Sequence, residues 1–246
     1  MRILSKASGI ATAVALTLCA TGCARLLPWR GQVAAPEINL AFTMERNLIE
    51  LQTIRMDGRP GRFLLGSAAP TTVLDPKYAA AGPHTVHISE KQTMPITPVS
   101  LDLGGIADGI IGADVWTNRA ISIDYRSGLV TYQKAGIEAS LMQIYEFEAE
   151  PRILVNVNGA DVPAIVDTTS PDTLVLPSTD NGRGTARINI AGIDFGTTDV
   201  RYANVARARV GNRLLSRFLV TIDYGKKVVG LWRDPRISIA PPAPPA

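Results

Sequence analysis

The chain carries one pattern twice, about a hundred residues apart, and that repeat limits the possible fold more than any compositional property does. The first copy reads Phe63-Leu64-Leu65-Gly66-Ser67-Ala68-Ala69-Pro70-Thr71-Thr72-Val73-Leu74-Asp75-Pro76. The second reads Ala164-Ile165-Val166-Asp167-Thr168-Thr169-Ser170-Pro171-Asp172-Thr173-Leu174-Val175-Leu176-Pro177. In each, an apolar strand enters a turn of small residues and a second apolar strand leaves it. Farther on, Ile110-Ile111-Gly112 and Arg209-Val210-Gly211 hold the same place in the two copies. Each precedes a strand with a matching end, Ile121-Ser122-Ile123-Asp124-Tyr125 and Val220-Thr221-Ile222-Asp223-Tyr224. A duplicated unit of this kind leaves an open face for its twin to cover, so the halves are expected to pack as a pair around a cleft.

Between these landmarks the chain reads as strands. Residues 48–54, 153–158 and 185–190 alternate apolar and polar side chains. Asp57-Gly58, Asn158-Gly159 and Ala191-Gly192 separate such runs as hairpin turns. Helix is scarce, with candidates only at residues 76–81, 115–119 and 214–218. The expected organisation is a leader over residues 1–22, a tether over 23–40, halves over 41–137 and 138–236, and a proline-rich tail over 237–246. That tail lacks the amide donors a sheet requires.

The four repeated elements resemble the pepsin and retropepsin superfamily of aspartic proteases, most closely the small bacterial retropepsin-like domains, here duplicated in one chain. The resemblance covers roughly residues 45–235. It implies an all-β fold of two retropepsin-like lobes related by a pseudo-twofold axis, with few short helices. In that family each half contributes a turn reading Asp-Thr-Gly or Asp-Ser-Gly, backed by an apolar-apolar-Gly segment. The resemblance thus places Gly66, Ser67 and Ala68 opposite Asp167, Thr168 and Thr169 at the seam, with Gly112 and Gly211 beside them as binding-site residues.

The departures from that pattern carry the functional reading. An aspartic protease needs two adjoining carboxyl groups, one to activate water and one to protonate the scissile carbonyl. Asp167 is present, but its counterpart is Gly66. Loss of positioned acid or base assistance typically costs about 10²–10⁴ in rate, and groups that act as a unit lose more. The family's third-position glycine is replaced by Ala68 and by β-branched Thr169. The middle hydroxyls, Ser67 and Thr168, remain, and in the family such hydroxyls link the two turns. The resemblance therefore implies a pseudoenzyme: a relic catalytic Asp167 in a module that holds an extended peptide or an envelope protein in the inter-lobe cleft. The alternative is an active endopeptidase using Asp167, with the dyad rebuilt in a homodimer. A third reading is a purely structural envelope protein with a closed cleft.

The N-terminus places such a module in the cell envelope. Arg2 and Lys6 precede an apolar stretch over residues 10–20, as in an export signal. Ala20-Thr21-Gly22-Cys23 then resembles a bacterial lipobox, which makes Cys23 the candidate lipidation site and the membrane a partner through the lipid anchor. Ala24, rather than aspartate, after that cysteine implies the outer membrane by the same resemblance. Cleavage before Cys23 leaves a single cysteine and no internal disulfide.

No general polyanion partner follows from the charge. The formal net charge is +3, and removing Arg2 and Lys6 lowers it to +1. One basic run spans residues 201–217, with Arg201, Arg207, Arg209, Arg213 and Arg217. With little aromatic interleaving it reads as a solvated face rather than a nucleic-acid site. No cofactor or metal is expected. His84 and His87 stand three apart in a strand and point to opposite faces, in the segment 82–95 where family members carry a flap over bound peptide. Ser67 with either histidine as base lacks a nucleophile elbow and an orienting acid placed by sequence.

Overall fold

The computed structural model describes residues 37–117, 119–133 and 142–234. They form an all-β body with two single-turn helices. The expected leader, Cys23, most of the tether and the proline-rich tail lie outside the described residues.

The first half contains β1 (Ile38–Glu45), β2 (Leu48–Leu51), β3 (Arg55–Met56), β4 (Arg59–Pro60), β5 (Phe63–Leu65), β6 (Val73–Leu74), β7 (His84–Ser89), β8 (Gln92–Ile96), β9 (Val99–Ser100) and β10 (Gly109–Ile111). Helix α1 (Ala113–Trp116) and strands β11 (Ala120–Asp124) and β12 (Leu129–Gln133) complete it. The second half contains β13 (Gln143–Glu146), β14 (Arg152–Val157), β15 (Ala160–Val166), β16 (Leu174–Pro177), β17 (Gly182–Ile190), β18 (Ile193–Ala203) and β19 (Ala208–Val210). Helix α2 (Asn212–Leu215) then leads to β20 (Leu219–Asp223) and β21 (Val228–Trp232).

An eleven-stranded sheet runs β13-β21-β20-β11-β12-β1-β2-β5-β10-β6-β9 and joins the halves. At the junction, β11 and β20 lie antiparallel with Ser122 opposite Thr221, so the two matched strand ends found in the sequence lie side by side. The second half closes a six-stranded barrel, β14-β15-β19-β16-β18-β17. The first half instead splits off a four-stranded sheet, β4-β3-β7-β8.

Local pairing around the repeated turns recurs. Strand β5 runs parallel to β10, which runs antiparallel to β6. Likewise β15 runs parallel to β19, which runs antiparallel to β16. The three glycine-marked hairpins form with left-handed central residues: Asp57 and Gly58 at φ 52° and 76°, Asn158 and Gly159 at 53° and 92°, Ala191 and Gly192 at 54° and 75°. Such paired positive φ values match the twist of the flanking strands.

Both helices begin two residues before the expected positions, directly after Gly112 and Gly211. Residues 76–81 form no helix; Tyr78 and Ala79 N–H donate to Asp75 O as a turn. A hairpin of β7 and β8 stands at the segment expected to form a flap. Val86 and Ile88 are fully buried and Ile96 nearly so, so its apolar face belongs to the core. That core is continuous across the junction, with Ile121 and Ile123 from one half and Val220 and Ile222 from the other.

Candidate functional site

Each repeated turn is built by the same hydrogen bonds. Gly66 N–H donates to Ile111 O at 2.9 Å and Asp167 N–H to Val210 O at 3.0 Å, so each turn hangs from the strand beside it. Ala113 N–H donates to Ala69 O and Asn212 N–H to Ser170 O, which ties each short helix to its turn. Gly112 and Gly211 make this approach possible. A Cβ at Gly112 would lie 2.5 Å from Thr71 C, and one at Gly211 would lie 2.3 Å from Asp172 O. The resemblance made these glycines binding residues, but any side chain there is excluded by backbone behind the turn. The contribution that the structure shows is close approach of the backbone to each turn.

The two turns meet, and their hydroxyls bond reciprocally. Ser67 N–H donates to Thr168 Oγ1 at 2.9 Å, and Thr168 N–H donates to Ser67 Oγ at 3.0 Å. Each hydroxyl then donates to the strand of the other half: Ser67 Oγ to Val166 O and Thr168 Oγ1 to Leu65 O, both at 2.6 Å. Both side chains are fully buried, where unmade bonds carry their full desolvation cost. The Ser67 hydroxyl proton is committed to Val166 O, which leaves no base to activate it as a nucleophile.

A second tier holds the same seam. Tyr224 OH donates to Ser67 O at 2.9 Å, reaching from the second half to the turn of the first. Tyr125 OH donates to Asn212 Oδ1 at 2.9 Å, and Asn212 Nδ2 donates at 2.7 Å to Thr168 O and to Asn47 O. Burial pushes both phenols far above the ordinary tyrosine value. They therefore act as neutral donors. Asp124 and Asp223, which precede these tyrosines, accept from turn amides of Arg126 and Lys226.

Where the two turns differ, each is closed by its own neighbour. Asp167 Oδ1 accepts from Thr169 N–H at 2.9 Å and Thr169 Oγ1 at 2.6 Å. Its Oδ2 accepts from Arg209 Nη1 at 2.8 Å, with the carboxylate side chain 4% exposed and the arginine 40%. At Gly66 there is no carboxylate and no room for one: a Cβ would lie 2.4 Å from Ile110 Cγ2. Ile110 occupies the strand position in β10 that Arg209 occupies in β19, since Ile110 pairs with Leu64 and Arg209 with Ile165. Ala68 and Thr169 are half-buried on the two turns.

The basic run is not a free face. Arg201 pairs with Asp172 at 2.6 Å and Arg207 with Glu150 at 3.0 Å, besides the Arg209 pair. Three of its five guanidiniums are thus engaged by acids of the second half. His84 likewise has a placed acid that the sequence did not reveal. Its ring donates from Nδ1 to Asp57 at 2.6 Å and from Nε2 to Ala80 O at 2.8 Å. The Asp57 bond raises the His84 pKa, and the same bond lowers that of Asp57. With both nitrogens donating, this imidazole is a structural cation rather than a base. Trp116 is fully buried against Tyr132, with ring centroids 5.6 Å apart.

Sequence reasoning missed Arg209, Ile110, Asn212 and the two tyrosines. A signal for Arg209 was available, because it is the charged residue in an otherwise apolar-apolar-Gly element and it breaks the repeat together with Asp167. Two cavities of about 480 and 500 Å³ lie elsewhere, one beside Arg55 and His87, the other beside Arg152 and Tyr145. Neither is lined by Asp167. No family model and no curated protein sequence matches this chain, so its functional reading rests on the residues themselves.

Proposed function

We propose that the chain is a non-hydrolytic relative of the pepsin and retropepsin superfamily, with two retropepsin-like lobes about a pseudo-twofold axis, acting as a lipid-anchored scaffolding or binding protein of the bacterial envelope. The observation that carries this reading is the closure of both half-sites: Arg209 on the Asp167 carboxylate and Ile110 in the space beside Gly66. Aspartic-protease chemistry requires two carboxyl groups that share a proton across a bound water. A single carboxylate held by a guanidinium offers neither the second acid nor an unpaired base. The reciprocal Ser67 and Thr168 bonds support the relationship to the superfamily, because they serve cohesion and need no catalysis.

Closure of the seam favours the scaffolding form of this role over peptide capture in the cleft. It also weighs against an endopeptidase whose dyad forms between two chains. That arrangement would require Asp167 to leave Arg209, and the buried bonds between the turns to separate. The test is hydrolysis of casein and a mixed peptide library between about pH 3 and 7. The expected result is no turnover, unchanged in Asp167→Asn. Pepstatin-sensitive turnover that disappears in that variant would contradict the reading.

A further inference from the structure

Behind the seam, the two turns are backed by residues of opposite charge. In the first half Asp114 Oδ1 accepts from Thr72 N–H at 2.9 Å, from Thr72 Oγ1 at 2.8 Å and from Val115 N–H at 3.1 Å. One carboxylate oxygen thus ties the turn to the short helix. Asp114 stands two residues after Gly112, and Arg213 stands two residues after Gly211. The backbone is bonded alike at both places. Ala113 N–H donates to Ala69 O and Val115 N–H to Gly112 O in one half; Asn212 N–H donates to Ser170 O and Leu214 N–H to Gly211 O in the other. Arg213 therefore leaves the backbone at the place of Asp114, and a guanidinium has no acceptor. The N–H and the hydroxyl proton of Thr173, the counterpart of Thr72, cannot be taken up by Arg213 as those of Thr72 are by Asp114.

The second half shows the resulting shortage of acceptors. Four buried side-chain atoms of this region have no hydrogen-bond partner among the described residues: Ser170 Oγ, Thr173 Oγ1, Arg209 Nε and Arg213 Nη2. The matched stretches of the first half, residues 69–72 and 110–114, contain none. The second-half group gathers about Gly211. A Cβ there would lie 2.9 Å from Ser170 Oγ, and Gly211 N–H donates to Thr173 O at 3.1 Å. The two arginines stand two residues to either side of that glycine. Thr173 is 2% exposed and Ser170 6%, so bulk solvent does not reach these hydroxyls. The acids of the turn face other arginines, Asp167 meeting Arg209 Nη1 and Asp172 meeting Arg201 at 2.6 Å.

We propose that a small monovalent anion of chloride's size binds between residues 170–173 and Arg213, in the acceptor role that the Asp114 carboxylate plays in the first half. All four unpartnered atoms can donate, so what they need is an acceptor, and buried groups left unmet carry their full desolvation cost. A water molecule can serve the hydroxyls, but only an anion also offsets the guanidinium charge. Hydrogen bonds between a charged donor and an anion are roughly twice as strong as neutral ones. The size of the ligand follows from the packing. Carbonyl oxygens of Asp172 and Ser170 close on Gly211, where a Cβ would lie 2.3 Å and 2.6 Å from them. A ligand of many atoms does not fit there. The bound ion fastens α2 to the turn that carries Asp167, and so couples the anion to the stability of the second half. The inference rests on the internal repeat alone and stands whether or not the protease-like reading holds.

Thermal unfolding of the full chain in mild detergent tests this directly. The chain is dialysed into the sodium salt of a bulky sulfonate, and chloride is then exchanged in at constant ionic strength. A ligand that binds only the folded state raises its stability with concentration, so the thermal midpoint is expected to climb with chloride as for a single site. Arg213→Met is expected to abolish that climb. Arg213→Asp restores the first half's own carboxylate, and is expected to unfold in the sulfonate salt no lower than the unmodified chain does in chloride, with no further gain from chloride. Equal midpoints of the unmodified chain in the two salts, the result if water alone serves these donors, overturn the proposal. A climb that survives Arg213→Met overturns it as well. Crystals of the unmodified chain grown in bromide locate the ion without any variant. An anomalous peak is expected within hydrogen-bond distance of the Arg213 guanidinium, and the lack of one there overturns the proposal.

Discussion

The two halves of this molecule begin from the same strand order around the same turn and finish it differently. In the second half the turn carries a carboxylate paired with a guanidinium: Asp167 carries Arg209. In the first half the matching position carries no side chain and the space beside it is filled: Gly66 faces Ile110. The differences therefore come in pairs, with positions 66 and 110 apolar together and positions 167 and 209 charged together. A carboxylate left buried without its guanidinium would be strongly destabilising, and a side chain at Gly66 beside Ile110 would overfill its site. Each half is self-consistent, and neither can be altered at one position without disturbing the other. Sheet closure shows the same contrast, with β18 covered by β17 and β9 left open.

The comparison can be broken first at what the halves share. Thr168→Val keeps the shape of the side chain but removes the donor to Leu65 O and the acceptor for Ser67 N–H. Two buried groups are left unsatisfied, which costs about 2–4 kcal/mol. Urea unfolding is expected to show that loss, with Thr168→Ser recovering most of it. A change near zero would mean that the turns are not held by these hydroxyls.

The next largest effect sharpens the difference at position 66. Gly66→Asp is expected to lower stability by about 1–3 kcal/mol through overpacking against Ile110. Ile110→Ala in the same chain is expected to restore part of it, read as a shift in the thermal midpoint. Neither chain is expected to hydrolyse peptides, because Asp167 remains bound to Arg209.

The smallest effect concerns a feature that the first half has alone. The bond to Asp57 raises the His84 pKa, so its contribution is full below the ordinary histidine value and is lost as pH rises through the raised one. The lowered Asp57 pKa makes the same bond fail as pH falls through that lowered value. Strand β7 should thus be firmest between the two. Hydrogen exchange of the β7 amides is expected to quicken above neutral pH beyond the intrinsic rise, and His84→Gln is expected to flatten that dependence.

Much of the strand plan was legible because its signals are local. Asp57-Gly58, Asn158-Gly159 and Ala191-Gly192 gave hairpins since those pairs accept the backbone angles a tight turn needs. The turn at Arg46 and Asn47, with φ 50° and 60°, carries no glycine and offered no such signal. The hairpin at residues 84–96 is legible from its alternation, but that alternation does not tell whether Val86, Ile88 and Ile96 face a cleft or, as in the fold, the core. At the seam, Ser67, Thr168 and Asp167 could be located from the repeat. Arg209 was marked only by its charge in an apolar-apolar-Gly element, and its pairing, like the roles of Asn212 and the tyrosines, depends on atoms brought together from residues 42 to 165 positions apart. His84 likewise stands 27 positions from Asp57, with β4, β5 and β6 between them.

The central claim is that Asp167 is consumed by Arg209 as a structural pair. A double-mutant cycle with Asp167→Asn and Arg209→Met, read by urea unfolding, measures that directly. The account predicts a coupling of about 1–3 kcal/mol between the two sites, with the double variant more stable than the sum of the single losses implies. Strict additivity, with Asp167→Asn alone as stable as the unmodified chain, would contradict it.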